Sequence, residues 1–399
     1  MRRLVAIALA GLSVAGTAAA QPHQHDMDGA MAGAHEVFTA TPAFAADGTL
    51  WVVRAESDRV VVARSADLGK TFSTPVSVTA GPIDVDWGPD ARPQITIDHA
   101  GHLVVSYAVF KDKRFNGRVY YTRSTDGGVS FAQPRPITSD ETSQRFQATA
   151  IDADGRLFAA WLDKRHAAAA KAAGKTYAGA ALAYAWSNDD GATFTDARIA
   201  ADDTCECCRL SVAFAGPGRP AVLFRNIFEG SVRDHALITF ANPTTPGPLR
   251  RVSVDDWKIE ACPHQGPSLA IAPDGSYHAA WFTDGSARHG LFYARADTGD
   301  APFASPRALS SPERQPARPN LLADGRALRL VWKEFDGERT RVCWEVSRDS
   351  GRSWSAPQTV AETDDASDHP LLVAYKDRTY LSWLTKSDGY RLIPLENKP

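Results

Sequence analysis

The chain has 399 residues and a formal charge of −3, from 44 Lys and Arg against 47 Asp and Glu. This near-balanced mixture offers no basic stripe for nucleic acid and no amphipathic basic helix for a membrane surface, so neither polymer is an expected partner. A chain of this length fits two or three ordinary domains or one large repeat fold, which makes internal repeats the first thing to test.

The first predicted element is residues 1–20, "MRRLVAIALAGLSVAGTAAA". It has two arginines, an apolar run too short to span a bilayer, and Ala18-x-Ala20. That is the pattern of a cleaved secretory signal peptide. We expect export to a bacterial periplasm or the medium, no membrane insertion, and a monomer. Residues 21–34 read as a flexible tail, in which His23, His25, Met27 and Met31, with His35 just beyond, are loose metal candidates. The terminus Gln21-Pro22-His23 cannot form an amino-terminal copper clamp, because Pro22 has no N–H to deprotonate.

From residue 35 to 397 one unit recurs: an apolar strand, a tight turn, and a second strand carrying an aromatic residue. The turns align on Gly48, Gly101, Gly155, Gly218, Gly275, Gly325 and Asp377. The aromatic positions are Tyr107, Trp161, Phe224, Trp281, Trp332 and Trp383. Four units continue into a second turn of the form Ser-x-Asp-x-Gly-x-Thr/Ser-aromatic: "SADLGKTF" from Ser65, "STDGGVSF" from Ser124, "SNDDGATF" from Ser187 and "SRDSGRSW" from Ser347. In each, the Asp carboxylate is placed to accept N–H groups of its own turn, the Gly supplies positive φ and the aromatic packs inward.

These turns resemble the Asp-box, or BNR repeat, of the sialidase superfamily of β-propellers. The resemblance implies an all-β propeller of four-stranded antiparallel blades, with seven units counted here and six as the alternative. The last unit runs out after its third strand, and "EVFTAT" (36–41) is the expected partner for its missing outer strand. Sialidases clasp their substrate with three arginines, the first in Phe/Tyr-Arg-Ile-Pro. That tetrapeptide is absent here, so no catalytic residue carries over from the resemblance.

In a propeller the loops before the first strand of each blade, and between its second and third strands, share one face around the axis. Cys205 and Cys262 each stand thirteen residues before their turn glycine, Gly218 and Gly275; Cys207 and His264 each stand eleven before it. "DTCECCR" (203–209) and "ACPHQ" (261–265) are thus the same loop on adjacent blades. His35 holds the equivalent place ahead of the first blade. Residues i and i+2 of an extended chain point the same way, so Cys205, Cys207, Cys262 and His264 are expected to converge, with Cys208 facing away or replacing one of them. Loops of this kind are similar to those of a sialidase-like bacterial group.

Three chemistries fit such a cluster: a soft-metal site, copper ahead of zinc; a disulfide between blades in an oxidising compartment; or a redox dithiol. Cys343, within "RVCWEV", reads as a buried apolar thiol. On the same face Arg92, Arg145, Arg225, Arg233 and Arg318 suit a small anionic ligand such as an acidic sugar. Asp163, Arg225, Glu229 and Asp234 are the catalytic candidates should the chain be an enzyme. Three functions follow as expectations: a metal-handling or redox propeller, a glycoside hydrolase of exo-sialidase type acting on acidic sugars, or a non-catalytic binding propeller with a structural disulfide.

Overall fold

The structure, a computed structural model, describes residues 39–396 except Pro89 and Arg326. The signal-like segment and the tail candidates His23, His25, Met27, Met31 and His35 lie outside the described residues.

Seven antiparallel sheets follow one another along the chain. Their inner strands are Ala40–Phe44, Gln94–Ile97, Gln144–Ile151, Ser211–Phe214, Ser268–Ile271, Ala317–Ala323 and Leu371–Tyr375. Each inner strand touches the inner strand of the next blade, and the seventh touches the first, so the sheets form a closed ring of seven. Every predicted turn joins an inner strand to the second strand of its own blade.

Apolar runs such as "AALAYAWS", buried at every position of Ala180–Ser187, arise because each blade is sandwiched between two others. The core is accordingly divided into seven clusters, each shared by adjacent blades. The aromatic of the second strand anchors them: Trp161, Trp281, Trp332 and Trp383 are at most 1% exposed. Their indole N–H groups donate to Asp163, Asp255, Glu334 and the Asp368 carbonyl, so a large apolar body is buried without an orphaned donor.

The four Ser-x-Asp turns close as their chemistry dictates. In the second, Ser124 Oγ donates to Asp126 Oδ1 (2.8 Å), the Ser130 N–H donates to Oδ1 (3.0 Å), and Ser130 Oγ donates to Oδ2 (2.6 Å). These bonds, the Ser130 hydroxyl first, pull the Asp126 carboxyl down to about 2. Gly128 has φ 76°, and a Cβ there would lie 2.4 Å from the Trp51 ring of the preceding blade. The turn therefore locks its own hairpin and lets two blades approach. Inward packing of the aromatic is incomplete at Phe72, which stays 36% exposed with its edge against Tyr390.

One expectation of the sequence is overturned. Ala40 and Thr41, expected on the outer edge of the last blade, lie in the inner strand of the first, paired with Arg54 and Val53. Blade 7 has three strands among the described residues, and the ring closes through inner strands, with the Ala40 N–H donating to Asp368 Oδ2 (2.9 Å). The register of Ala40–Phe44 against Leu50–Glu56 places its side chains in the first blade's core, which a position on the edge of blade 7 would forfeit.

Candidate metal centre and axial cavity

The third blade ends on Arg198–Thr204, and the chain crosses to the fourth through residues 205–210. Backbone bonds pin this crossing to the loop between the second and third strands of blade 4: Cys205 N–H to Arg225 O (2.9 Å) and Ile227 N–H to Asp203 O (2.7 Å). The corresponding crossing from blade 4 to blade 5 carries Cys262 and His264. Arg225 Nη2 holds it by donating to the carbonyls of Gln265 (3.0 Å) and Phe282 (2.9 Å). The two loops touch through backbone: a Cβ on Gly266 would sit 2.7 Å from Arg209 O, so only glycine permits this approach.

The sulfur atoms of Cys205, Cys207 and Cys208 lie within 4.8 Å of one another, and so do the ligand atoms of Cys207, Cys262 and His264. Cys205 Sγ and Cys207 Sγ are 3.6 Å apart, and all five cysteines are free thiols. Metal–sulfur bonds of about 2.3 Å place ligand sulfurs roughly 3.8 Å apart around a tetrahedral ion, so this spacing fits a metal without rearrangement. Cys205, Cys207 and Cys208 are buried, Cys262 is exposed and His264 is half-buried. The pocket wall is Ala91, Phe146, Leu210 and Phe224, which keeps water from the inner thiols.

Cys208 does not face away. Residues 206–208 form a turn, so alternation stops after Cys205 and the third sulfur comes back to the first two. His264 lies in the left-handed region at φ 48°, as does Phe146 at φ 56°, whose ring is 6.3 Å from the imidazole. Such backbone is costly for residues other than glycine and gathers at functional sites.

The thiols differ in acidity. Hydrogen bonds from Cys207 and Cys208 pull Cys205 well below the usual thiol range against the effect of burial, helped by Arg233 and Arg225. A hydrogen bond from Cys207 likewise lowers Cys262, while Cys207, the donor, is pushed up. Burial raises Cys208. Arg233 Nη1 donates to Cys205 Sγ (3.2 Å), an electropositive contact that favours thiolate. Cys343 is buried in another blade and is pushed up to about 12 by burial, as an inert thiol would be.

Beside this cluster lies the propeller axis, with a cavity of about 210 Å³ lined in part by Arg92, Arg209, Arg318 and His369. Asp90 lies beneath, its side chain fully buried. It accepts Arg209 Nη1 (2.9 Å), Arg318 Nη1 (3.2 Å) and the Gly266 N–H (2.9 Å). Arg92 pairs with Asp368 but keeps Nη1 without a hydrogen-bond partner, and so does His369 Nε2; both residues are at least 93% buried. Burial, with Arg318, Arg92 and Arg209 nearby, holds the His369 imidazole neutral. Lys333, which donates to Ser367 Oγ (2.8 Å) next to Asp368, is lowered by burial to about 8.

Of the arginines marked in the sequence, Arg92 and Arg318 meet at this cavity. Arg145 forks onto Asp86 (2.6 and 2.9 Å) away from it, and Arg225 and Arg233 serve the cysteine loops. Asp163 is fully buried between Arg165 and the Trp161 indole, and Asp234 accepts Arg251 and two backbone N–H groups. Glu229 stands exposed in a short turn. Arg209 and Asp368 escaped the sequence reading. Arg209 had a signal in the register, since it and Arg92 each stand nine residues before their turn glycines, Gly218 and Gly101.

No protein-family model and no curated protein matches the chain. Solved structures do. The ulvan lyase of polysaccharide lyase family PL25, bound to -[GlcA(1-4)Rha3S]-, superposes with a TM-score of 0.56 at 12% identity, over 90% of this chain and 93% of that one. The polysaccharide lyase Uly1 gives 0.57 at 10% identity, over 91% of each chain. The Hadza microbial sialidase Hz136 gives 0.52 at 16% identity, over 90% of this chain and 66% of that one. At these identities the likeness is one of fold, that of a β-propeller.

Proposed function

We propose that this chain is an exported sialidase-like propeller whose axial face carries a soft-metal centre, copper ahead of zinc, serving metal handling or redox chemistry. The observation that carries the reading is the meeting of four thiols and an imidazole from two blades at metal-ligand spacing. A blade-to-blade staple needs two cysteines; four with a histidine are the donor set of a thiophilic ion. The signal-like terminus and the His/Met tail favour copper. Bound copper would supply one-electron chemistry or be the cargo itself. The chain's own part is to hold Cys205 and Cys262 as the more acidic thiols, to balance their charge with Arg233, and to keep water out with Phe146 and Phe224. Metal analysis of protein recovered from the periplasm tests this: about one ion or more per chain is expected for the wild type and a marked loss in Cys205→Ser and Cys262→Ser. Sub-stoichiometric metal in all three overturns it.

A second reading rests on the axial cavity, whose cations and unpartnered Arg92 Nη1 and His369 Nε2 suit an acidic group. No carboxylate is among its lining residues, so binding fits better than hydrolysis by paired carboxylates. The solved lyase with a glucuronic-acid-containing ligand makes a uronate a reasonable probe. In calorimetry, glucuronate should bind at pH 7, and Arg318→Gln, which removes one of the lining cations, should weaken it several-fold. Absent binding at pH 7, or affinity unchanged in Arg318→Gln, removes this reading.

A further inference from the structure

We infer that the cysteine centre holds two monovalent ions, not one, bridged by the thiolate of Cys207. This rests on the soft-metal reading above and extends it to stoichiometry. The five donors divide into two groups of three, Cys205/Cys207/Cys208 and Cys207/Cys262/His264. No four of them lie within 4.8 Å of one another, whereas the ligands of one tetrahedral ion would all lie within roughly 4 Å. Three donors in a plane is a coordination that copper(I) accepts and that zinc in structural sites does not adopt. Five donors are one too many for a single four-coordinate ion. They are the number needed for two three-coordinate ions that share one ligand.

The shared position is marked by geometry. Cys207 alone belongs to both groups, and its sulfur lies 3.6 Å from that of Cys205. Charge points the same way. Four thiolates with two copper(I) ions carry a charge of about −2. Arg225 is buried and bonded to carbonyl oxygens, while Arg233 reaches a carbonyl and Cys205 Sγ. Neither meets a carboxylate among the described residues, so two guanidinium charges are left to balance the cluster. The two ions also differ in setting. The inner site is all sulfur and buried, and the outer site, with exposed Cys262 and half-buried His264, is the one that incoming metal meets first.

The test is anaerobic titration of the full chain with copper(I) against a chromophoric copper(I) chelator, followed by X-ray absorption of the loaded protein. The wild type should bind two chelator-resistant ions in sulfur-rich shells, with a metal–metal scattering vector. Cys262→Ser/His264→Ala, which alters only the accessible half, should keep one ion with three sulfur ligands and lose the metal–metal vector. A wild type with one ion and no metal–metal vector overturns the inference while leaving the metal reading intact, and so does a double variant that retains both ions or neither. A wild type with no sulfur-bound copper overturns both. Unchanged thermal melting of the metal-free double variant confirms that the comparison is between folded proteins.

Discussion

Replacing Cys207 by serine is expected to lower copper(I) affinity by about 10²–10³-fold, the largest effect of any single substitution in the protein. Structural zinc sites of four ligands bind with an apparent 10–16 kcal/mol; on that scale each donor is worth about 2.5–4 kcal/mol, and each 1.4 kcal/mol is tenfold. Cys207 belongs to both donor groups, which puts it at the upper end of that range. It is also the hydrogen-bond donor that makes Cys205 and Cys262 acidic, so the serine variant should need a higher pH to load. Chelator competition across pH 6 to 8 measures both effects. Cys343→Ser, in a buried strand of another blade, is the matched control and should leave affinity unchanged. A Cys207→Ser variant within about threefold of the wild type would contradict the role given to this sulfur.

The second large effect concerns stability. Asp90→Ala removes the one carboxylate that Arg209 and Arg318 share and leaves the Gly266 N–H without its acceptor. Breaking a buried ion pair from one side costs about 3–5 kcal/mol, because the surviving charge stays desolvated. The two arginine side chains are 19% and 17% exposed at the cavity, so solvent screens them in part and about 3 kcal/mol is the fitting figure. With about 2.1 cal/mol/K of unfolding entropy per residue, that is a fall of roughly 4 °C in Tm. Removing an uncompensated cation as well should recover part of it, so Asp90→Ala/Arg209→Ala should melt above the sum of the single effects. Asp90→Ala melting within about 1 °C of the wild type would mean that the axial ion network contributes little.

The two sites are mechanically joined. Arg209 directly follows Cys208 and reaches Asp90 and the Pro319 carbonyl across the axis, while Arg318 donates to the His264 carbonyl. Both cysteine loops are therefore anchored on the same carboxylate that organises the cavity. The positions of the cysteine loops and the charge of the cavity floor are thus coupled through Asp90.

Much of this was legible in the chain itself, for reasons that are local. A turn such as 124–131 is specified by its own Ser, Asp and Gly, because the hydrogen bonds and the positive φ lie within eight residues. Counting back from the inner-strand turn glycines, Gly218 and Gly275, was enough to place Cys205/Cys207 and Cys262/His264 on adjacent blades, since a repeat carries its register from unit to unit. Local extension left two outcomes open for Cys208; 206–208 is a turn, so it joins its neighbours instead of facing away.

What only the tertiary structure decided is whatever depends on closing the ring. That closure makes Ala40–Phe44 an inner strand of the first blade, and it brings Asp90, Arg209 and Arg318 to one point although Arg318 is 228 residues from Asp90. No local pattern encodes such a meeting, because each residue is an ordinary charged loop position within its own blade. The sequence by itself determined the blades and the loops that bear the chemistry; the axis, where those loops exchange charges and ligands, exists only once seven blades pack side against side.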